Sequence, residues 1–536
     1  MTMRRSTAIA AAFIAALALG TTSAQAQGTL RIGMTSVDVP TTGGIPNNGG
    51  EGYRFLGFPA YDALVNWELK EKQDDIANVR PGLAESWSSD PKDRTKWVFK
   101  LRSGVKFHDG SAFTADAVMF NMRRVFDEKA PEYDAPAAPI VKSQLSMVDR
   151  WEKIDDMTIA IYTKTPFAYF PYMITRLLMV SPTQYEKVGK NWVEFGKAPS
   201  GTGPFKITKV TPRVSAELAK NADYWDKDRI PKLDRMILYP MPEPTTRLAA
   251  LRSGQVDWIE VPPPDAIQSL KQAGFEINLK PYPHTWPYVF NTVSPKSPFT
   301  DKRVRQAMNY AVDRQALVQL LNGTAKPAAG LYPPESTYFG KPENRYSYDP
   351  EKAKALLKEA GYGPGKPVKA KIMVSTAGSG QMLPLPMNEL IQQMLKPIGI
   401  ELDFEVVEWG TMLVAVRSAP DSAPSMGVDA INISLGFADP STMYRYYHSD
   451  SKSPTNWNWA HFSNPKADAL LMAAQTEFDE EKQLDLLAKA HAIIVDEAPW
   501  LFIVHDLNPR ALSKKVVGFS PAQSWSQDFT TISMAK

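Results

Sequence analysis

From Thr29 onward, strand signals alternate with capped helix signals and show no fixed repeat. This pattern restricts the chain to α/β layers built on more than one sheet. Thr29–Met34 (TLRIGM) alternates apolar and polar residues as a half-buried strand does. Trp97–Leu101 (WVFKL) alternates in the same way. A Ser103-Gly104 turn and Val105–Phe107 follow, which predicts a hairpin. Thr114 can cap a helix with Asp116 in its first turn and Val118, Met122 and Val125 on one face. Thr300-Asp301 opens another, with Val304, Met308 and Ala311 inward and an end expected near Gly323. Asp349-Pro350 places a cap before a proline in the first helical position, and Gly361 supplies the left-handed stop. Leu390–Pro397 then Ile400–Val407, and Lys482–Val495 then Trp500–Val504, each read as helix followed by strand. Proline-rich stretches at 240–244, 261–264 and 281–287 read as connections, with a lobe boundary expected near the last.

The chain has 536 residues, 43% hydrophobic and 22% charged, an ordinary globular balance. At roughly 150 residues per domain this length suggests about three or four domains. Residues 1–26 stand apart. Arg4 and Arg5 precede an apolar run from Ala8 to Leu19, and Ala24-Gln25-Ala26 places small residues where a signal peptidase cuts. The run is shorter than the ~20 residues that span a bilayer, which favours a cleaved secretory signal over an anchor. No later stretch is long and apolar enough to span. The chain has no cysteine, so disulfides, thiolate metal sites, a cysteine nucleophile and a lipid-modified cysteine are all excluded. A freely released periplasmic protein is expected. Net charge is +3, and +1 without the two signal arginines, which argues against a nucleic-acid partner.

Catalytic patterns are missing. There is no H-E-x-x-H helix, G-x-S-x-G turn or phosphate loop; Ser375–Gly380 (STAGSG) and Gly361–Lys366 (GYGPGK) have the wrong spacing. Gly201-Thr202-Gly203 reads as a tight turn before a strand. The six histidines (His108, His284, His448, His461, His491 and His505) show no metal-ligand spacing, and Phe107–Gly110 reads as a turn. Carboxylates are too plentiful for sequence to single out a pair, so a secreted hydrolase stays as the second class of reading. The aromatic content is distinctive, with 13 Trp, 20 Tyr and 23 Phe. Several cluster with polar neighbours: Tyr282, His284, Trp286 and Tyr288; Phe437, Tyr444, Tyr446 and Tyr447; Trp457-Asn458-Trp459. Flat apolar faces with polar edges suit a closed small-molecule pocket.

Ordered blocks then carry a resemblance. Tyr61–Leu64 (YDAL), Pro81–Trp87 (PGLAESW), Phe99–Val118, Gly201–Phe205 (GTGPF), Asn221–Trp225 (NADYW) and Leu251–Trp258 (LRSGQVDW) come first. Phe299–Arg314 (FTDKRVRQAMNYAVDR), Asp349–Tyr362, Gly436–Pro440 (GFADP) and Asn464–Leu470 follow. In this order they resemble the large extracytoplasmic solute-binding proteins of peptide, opine and nickel ABC importers. The resemblance implies an α/β, two-lobed periplasmic binding protein fold, with an extra subdomain in the larger lobe and two hinge crossings. Lobe one is expected at 27–285 plus 505–536 and lobe two at 286–504, with crossings near Trp286–Asn291 and Phe502–His505. Hinge closure over the solute would present the closed form to a membrane permease. The Phe299–Arg314 and Pro81–Trp87 blocks look structural.

The expected ligand-binding residues are Tyr61, His284, Trp286, Tyr288, Trp409, Gly436, Phe437, Asp439, Trp457 and Trp459. One departure bears on the ligand. Peptide-binding members of the resembled family carry an aspartate three residues before the acidic-Pro pair, where it neutralises the peptide amine. Here that pair is Asp439-Pro440 and the position holds Gly436. A peptide, an opine or an oligosaccharide remains open, the tryptophans leaning toward a sugar ring, and so does a metal chelate held by arginine. No cofactor, no metal ligation and a monomer are expected.

Overall fold

The computed structural model describes residues 28–47, 49–69, 78–280, 284–378, 380–521 and 526–535. The expected signal segment and Tyr282 lie outside them. Two seven-stranded mixed sheets organise the chain, as the alternation of strands and helices predicts. Across the first run Glu276–Asn278, Arg510–Leu512, Trp258–Glu260, Thr29–Met34, Arg235–Pro240, Ser215–Lys220 and Phe205–Thr211. Across the second run Ala325–Pro327, Trp500–Asp506, His284–Phe290, Ala430–Asn432, Val368–Ser375 and Ile400–Val407, with Leu435–Gly436 also paired to His284–Phe290. A separate four-stranded antiparallel sheet is inserted: Ala84–Ser89, Lys96–Leu101, Thr158–Thr163 and Val148–Asp155.

The chain passes from the first sheet to the second between Asn278 and His284, and returns between Asp506 and Arg510. These crossings lie a few residues outside the ones read from sequence. His284–Phe290 and Trp500–Asp506 are buried along their whole lengths and pair with each other, Thr285 opposite His505 and Trp286 opposite Val504. Pro509, which has no N–H to donate, lies in the return crossing.

Two local expectations are corrected. Lys96–Leu101 does not form a hairpin with Val105–Phe107. It lies between Ala84–Ser89 and Thr158–Thr163, while Lys106 bridges Ala112 around a turn in which Asp109 accepts from Ser111 N at 2.8 Å. The helix from Asp301 does not run to Gly323 either. It splits into Lys302–Ala311 and Arg314–Leu320, because Asp313 caps the second piece by accepting from Gln315 N and Ala316 N. The Asp349 cap forms as expected on Lys352 N at 2.9 Å, and Gly361 has φ +83°.

The Phe299–Arg314 block does structural work that positions the site. Arg314 Nε donates to Phe502 O at 2.8 Å. Asn309 Nδ2 donates to Trp500 O at 2.9 Å, and its Oδ1 accepts from Phe502 N at 3.1 Å. Arg305 Nη2 donates to Glu497 O at 2.9 Å. These side chains clamp Trp500–Asp506 in place, and the strand's end carries His505 and Asp506 into the crossing region.

Candidate ligand site between the sheets

Two buried carboxylates fix the first sheet's side. Asp62 accepts from Asn66 Nδ2 (3.0 Å) and Tyr224 Oη (2.9 Å) on one oxygen, and from Thr202 Oγ1 (3.0 Å) and Trp225 Nε1 (2.9 Å) on the other. The YDAL, GTGPF and NADYW blocks thus converge on one acceptor. His108 braces the same turn: its Nε2 donates to Gly203 O at 2.9 Å and its Nδ1 accepts from Gly201 N at 3.3 Å. Burial holds its ring down to about 4, so it stays a neutral strut. Glu260, on Trp258–Glu260, accepts from Trp258 Nε1 at 2.7 Å and Arg510 Nε at 3.1 Å, and also pairs with Arg54. Burial pushes its carboxyl up, but the two guanidiniums overcome that and hold it below its ordinary value.

The second sheet brings its polar groups to the crossings. His284 opens its strand directly opposite Gly436, and Asp506 Oδ2 lies 3.8 Å from His284 Nδ1. All three neighbouring titratable groups are buried. Burial, with the His505 and Arg54 charges added, holds His284 down to about 3, and burial holds His505 down to about 4. Burial pushes Asp506 up to about 7. Beyond Gly436, the Phe437 ring meets Tyr332 at 5.0 Å and His505 at 5.8 Å, and Tyr332 stacks on Tyr338 at 5.1 Å. Tyr446 Oη donates to Gly436 O at 2.8 Å.

This segment meets the helix Phe170–Met173 that follows the inserted sheet. Ser441 Oγ lies 3.6 Å from Met173 Sδ, next to the inserted sheet. Tyr169 and Tyr172 feel the Asp439 charge; burial first, then Glu480 and Asp439, push Tyr172 up to about 12. The inserted sheet also reaches the helix pair Pro465–Thr476 and Glu480–Glu497. Ala168 N donates to Gln475 O at 2.8 Å, and Phe478 lies between the Trp97 ring (6.0 Å, stacked) and the Arg94 guanidinium (4.6 Å). A small apolar cleft beside the crossings is lined from one side by Val261, Pro264 and Pro509 and from the other by Thr324, Met382 and Leu383. Among the described residues no group of three metal-ligating side chains comes together.

The residues picked out by sequence separate into two sets. His284, Gly436, Phe437 and Asp439 share the inter-sheet region, and Trp457 flanks it beside Arg445. Trp409 packs on the loop before it: a Cβ on Gly378 would lie 2.4 Å from the Trp409 ring, while one on Gly380 would lie 2.1 Å from that of His284. The rest are enclosed in packing. Tyr61 is buried against Gly201, its hydroxyl donating to Thr42 O. Tyr288 bonds Asn388 beneath a helix, and Trp286 is wholly buried beside it. Trp459 is wholly buried and donates to Ser425 Oγ at 3.3 Å. Sequence reasoning did not select Tyr169, Tyr332, Arg445, His505 or Asp506 for the site. A charged residue inside the aromatic run Tyr444–Tyr447, and one ending the apolar strand Trp500–Asp506, were the available signals.

This is the geometry of a two-lobed solute-binding protein, and comparisons with known proteins agree. The family described as bacterial extracellular solute-binding proteins, family 5, matches residues 78–457. The chain is 31% identical over 455 residues to the glutathione-binding protein GsiB of Escherichia coli (strain K12), covering 84% of each chain. It is 28% identical over 504 residues to the di/tripeptide-binding protein 2 of Pseudomonas aeruginosa, covering 90% of this chain and 91% of that one. Among solved structures it resembles the periplasmic binding protein DppA of Helicobacter pylori in complex with peptide STSA, with TM-score 0.80, 24% identity, and 95% and 98% coverage. It also resembles the binding protein AgaA of A. tumefaciens R10 in complex with agropinic acid, with TM-score 0.75, 24% identity, and 95% and 99% coverage. The chain belongs to the bacterial extracellular solute-binding proteins of family 5.

Proposed function

We propose that this chain is the periplasmic receptor of an ABC-type importer, closing two lobes over a peptide-like or opine-like solute and handing it unchanged to a membrane permease. The carrying observation is the placement of Gly436–Asp439. It sits where the second sheet's polar groups meet Tyr169 and Met173 next to the inserted sheet, beside two short crossings suited to hinge motion. In this reading lobe one holds the first and inserted sheets and lobe two holds the second. Export by the residue 1–26 signal and release as a free, cysteine-less protein complete the reading. The relatives that bind glutathione and di- or tripeptides, and the opine-binding fold neighbour, supply the solute classes to test. The aromatic argument for a sugar weakens, because Trp286 and Trp459 are enclosed in packing.

The test is a thermal-shift titration of residues 27–536 with glutathione, Met-Leu, Ala-Ala, agropinic acid and a set of oligosaccharides, with mass analysis of the recovered solute. A solute present at 100 times its Kd stabilises by about 2.7 kcal/mol. A rise in Tm with the solute recovered intact is expected. Conversion of any probe to product overturns the receptor reading, and stabilisation by oligosaccharides alone overturns the solute class.

A further inference from the structure

The helix Thr442–Tyr447 follows the Gly436–Asp439 segment and carries one charge, Arg445, among Met443, Tyr444, Tyr446 and Tyr447. Arg445 Nη2 donates to Tyr446 Oη at 3.3 Å, and the same hydroxyl donates to Gly436 O. The guanidinium lies over the Tyr446 ring at 5.2 Å and the Trp457 ring at 5.8 Å. Its Nε is shielded from solvent and has no acceptor among the described residues. The more exposed Arg417 stands over the same Trp457 ring at 4.9 Å. Among the described residues no carboxylate comes within 4.0 Å of either guanidinium. The two cations feel each other: desolvation first, and then the Arg445 charge, hold Arg417 below the ordinary guanidinium value. For Arg445 itself, desolvation is outweighed by Tyr446 and the Asp439 charge, which hold it above the ordinary guanidinium value; Asp439 makes no ion pair with it, and its Oδ1 is already engaged by Ser441 N and Oγ.

A shielded guanidinium without an anionic partner is costly in a folded protein, and the cost is tolerated where a ligand supplies the missing charge. Arg445 can meet a carboxylate through the fork geometry that Arg and carboxylate share. The local charge also bears on Gly436. An acid there would bind an amine; glycine there, linked through Tyr446 to Arg445, leaves positive charge in excess. On the reading of the chain as a solute receptor, we infer that Arg445, assisted by Arg417 across Trp457, binds a carboxylate of the solute. The solute thus presents its anionic end, not its amine, to the Gly436 side.

Calorimetric titration with matched probes tests this: Ala-Ala, its C-terminal amide and its N-acetyl form, and glutathione beside its diethyl ester. The free acids should bind about 10–100-fold more tightly than the amide or ester, as loss of one charge-assisted contact implies. N-acetylation should cost little. R445Q should abolish the preference, and R445K should keep part of it. Equal binding of acid and amide, or a preference that survives R445Q, overturns the assignment. R445M in the ligand-free protein gives a readout that needs no solute. Replacing a shielded guanidinium that no carboxylate pairs within 4.0 Å by an apolar side chain should raise Tm by about 1–3 °C. A fall in Tm would make Arg445 a structural residue and overturn the assignment. Failure of all the probes to bind, with the R445M rise intact, would instead overturn the solute classes proposed above.

Discussion

Asp506→Asn isolates the one carboxylate that the return crossing keeps almost wholly from solvent. Asp506 is 2% exposed; Asn508 N donates to its Oδ1 at 2.7 Å, and His284 Nδ1 lies 3.8 Å from its Oδ2. Burial pushes its carboxyl from 3.8 up to about 7; the Asn508 N–H and the Arg510 and Arg54 charges offset part of the burial effect, and Glu260 adds to it. The unfolded chain loses this proton near pH 4 and the folded chain near pH 7. Between those values the folded state holds more protons, so this group's contribution to stability falls as pH rises and is fully lost above about pH 7. At about 1.4 kcal/mol per pH unit the loss amounts to about 4 kcal/mol. Asparagine keeps the shape and cannot ionise. D506N should therefore exceed the parent by only about 1 kcal/mol near pH 4.5 and by a few kcal/mol at pH 8. With an unfolding entropy of about 2 cal/mol/K per residue, that is about 3–4 °C in Tm for a chain of this length. Thermal scans of the ligand-free proteins from pH 4.5 to 8.5 at fixed ionic strength would show a difference that opens as pH rises. Buried His284 and His505, held down to about 3 and about 4, lose stability as pH falls below about 6.5. That loss acts in the parent and the variant alike and largely cancels in the difference. A Tm difference constant across the range, or a D506N protein less stable at pH 8, would refute the burial argument and make the ionised Asp506 a stabilising partner of His284.

Other perturbations read different parts of the molecule. D62A strips the shared acceptor from Asn66, Thr202, Tyr224 and Trp225. It should cost about 3–5 kcal/mol, measured by denaturant unfolding followed by tryptophan fluorescence. W459A should destabilise by about 3–5 kcal/mol through the cavity it leaves, while solute affinity measured on the folded fraction stays unchanged. F478A removes the ring held between Trp97 and Arg94. If that contact belongs to the closed form, calorimetric Kd should rise several-fold while ligand-free Tm moves little; an unchanged Kd would assign the contact to both forms.

The split between what was legible and what was not follows the range of the interactions. Cap residues such as Asp349, the left-handed Gly361, and the strands Thr29–Met34 and Ile400–Val407 are written in neighbouring residues, and each forms as the sequence indicates. The ordered blocks likewise identify the family and the two-lobed fold. Sequence does not show that Asp313 would interrupt a helix which periodicity alone would continue. Nor does it show that Tyr61, Tyr288 and Trp459 would spend their polar atoms inside the packing, although they look no different from site aromatics in the chain. Asp62 meets Trp225 across 163 residues, and His284 reaches Asp506 and Gly436 from distant segments. Arg445 stands out only because no carboxylate arrives beside it. Caps and periodicity depend on residues within a turn or two of one another. Burial and charge compensation depend on which remote segments pack together, so the sequence determined the class of protein and the tertiary structure decided where its unpaired charge lies.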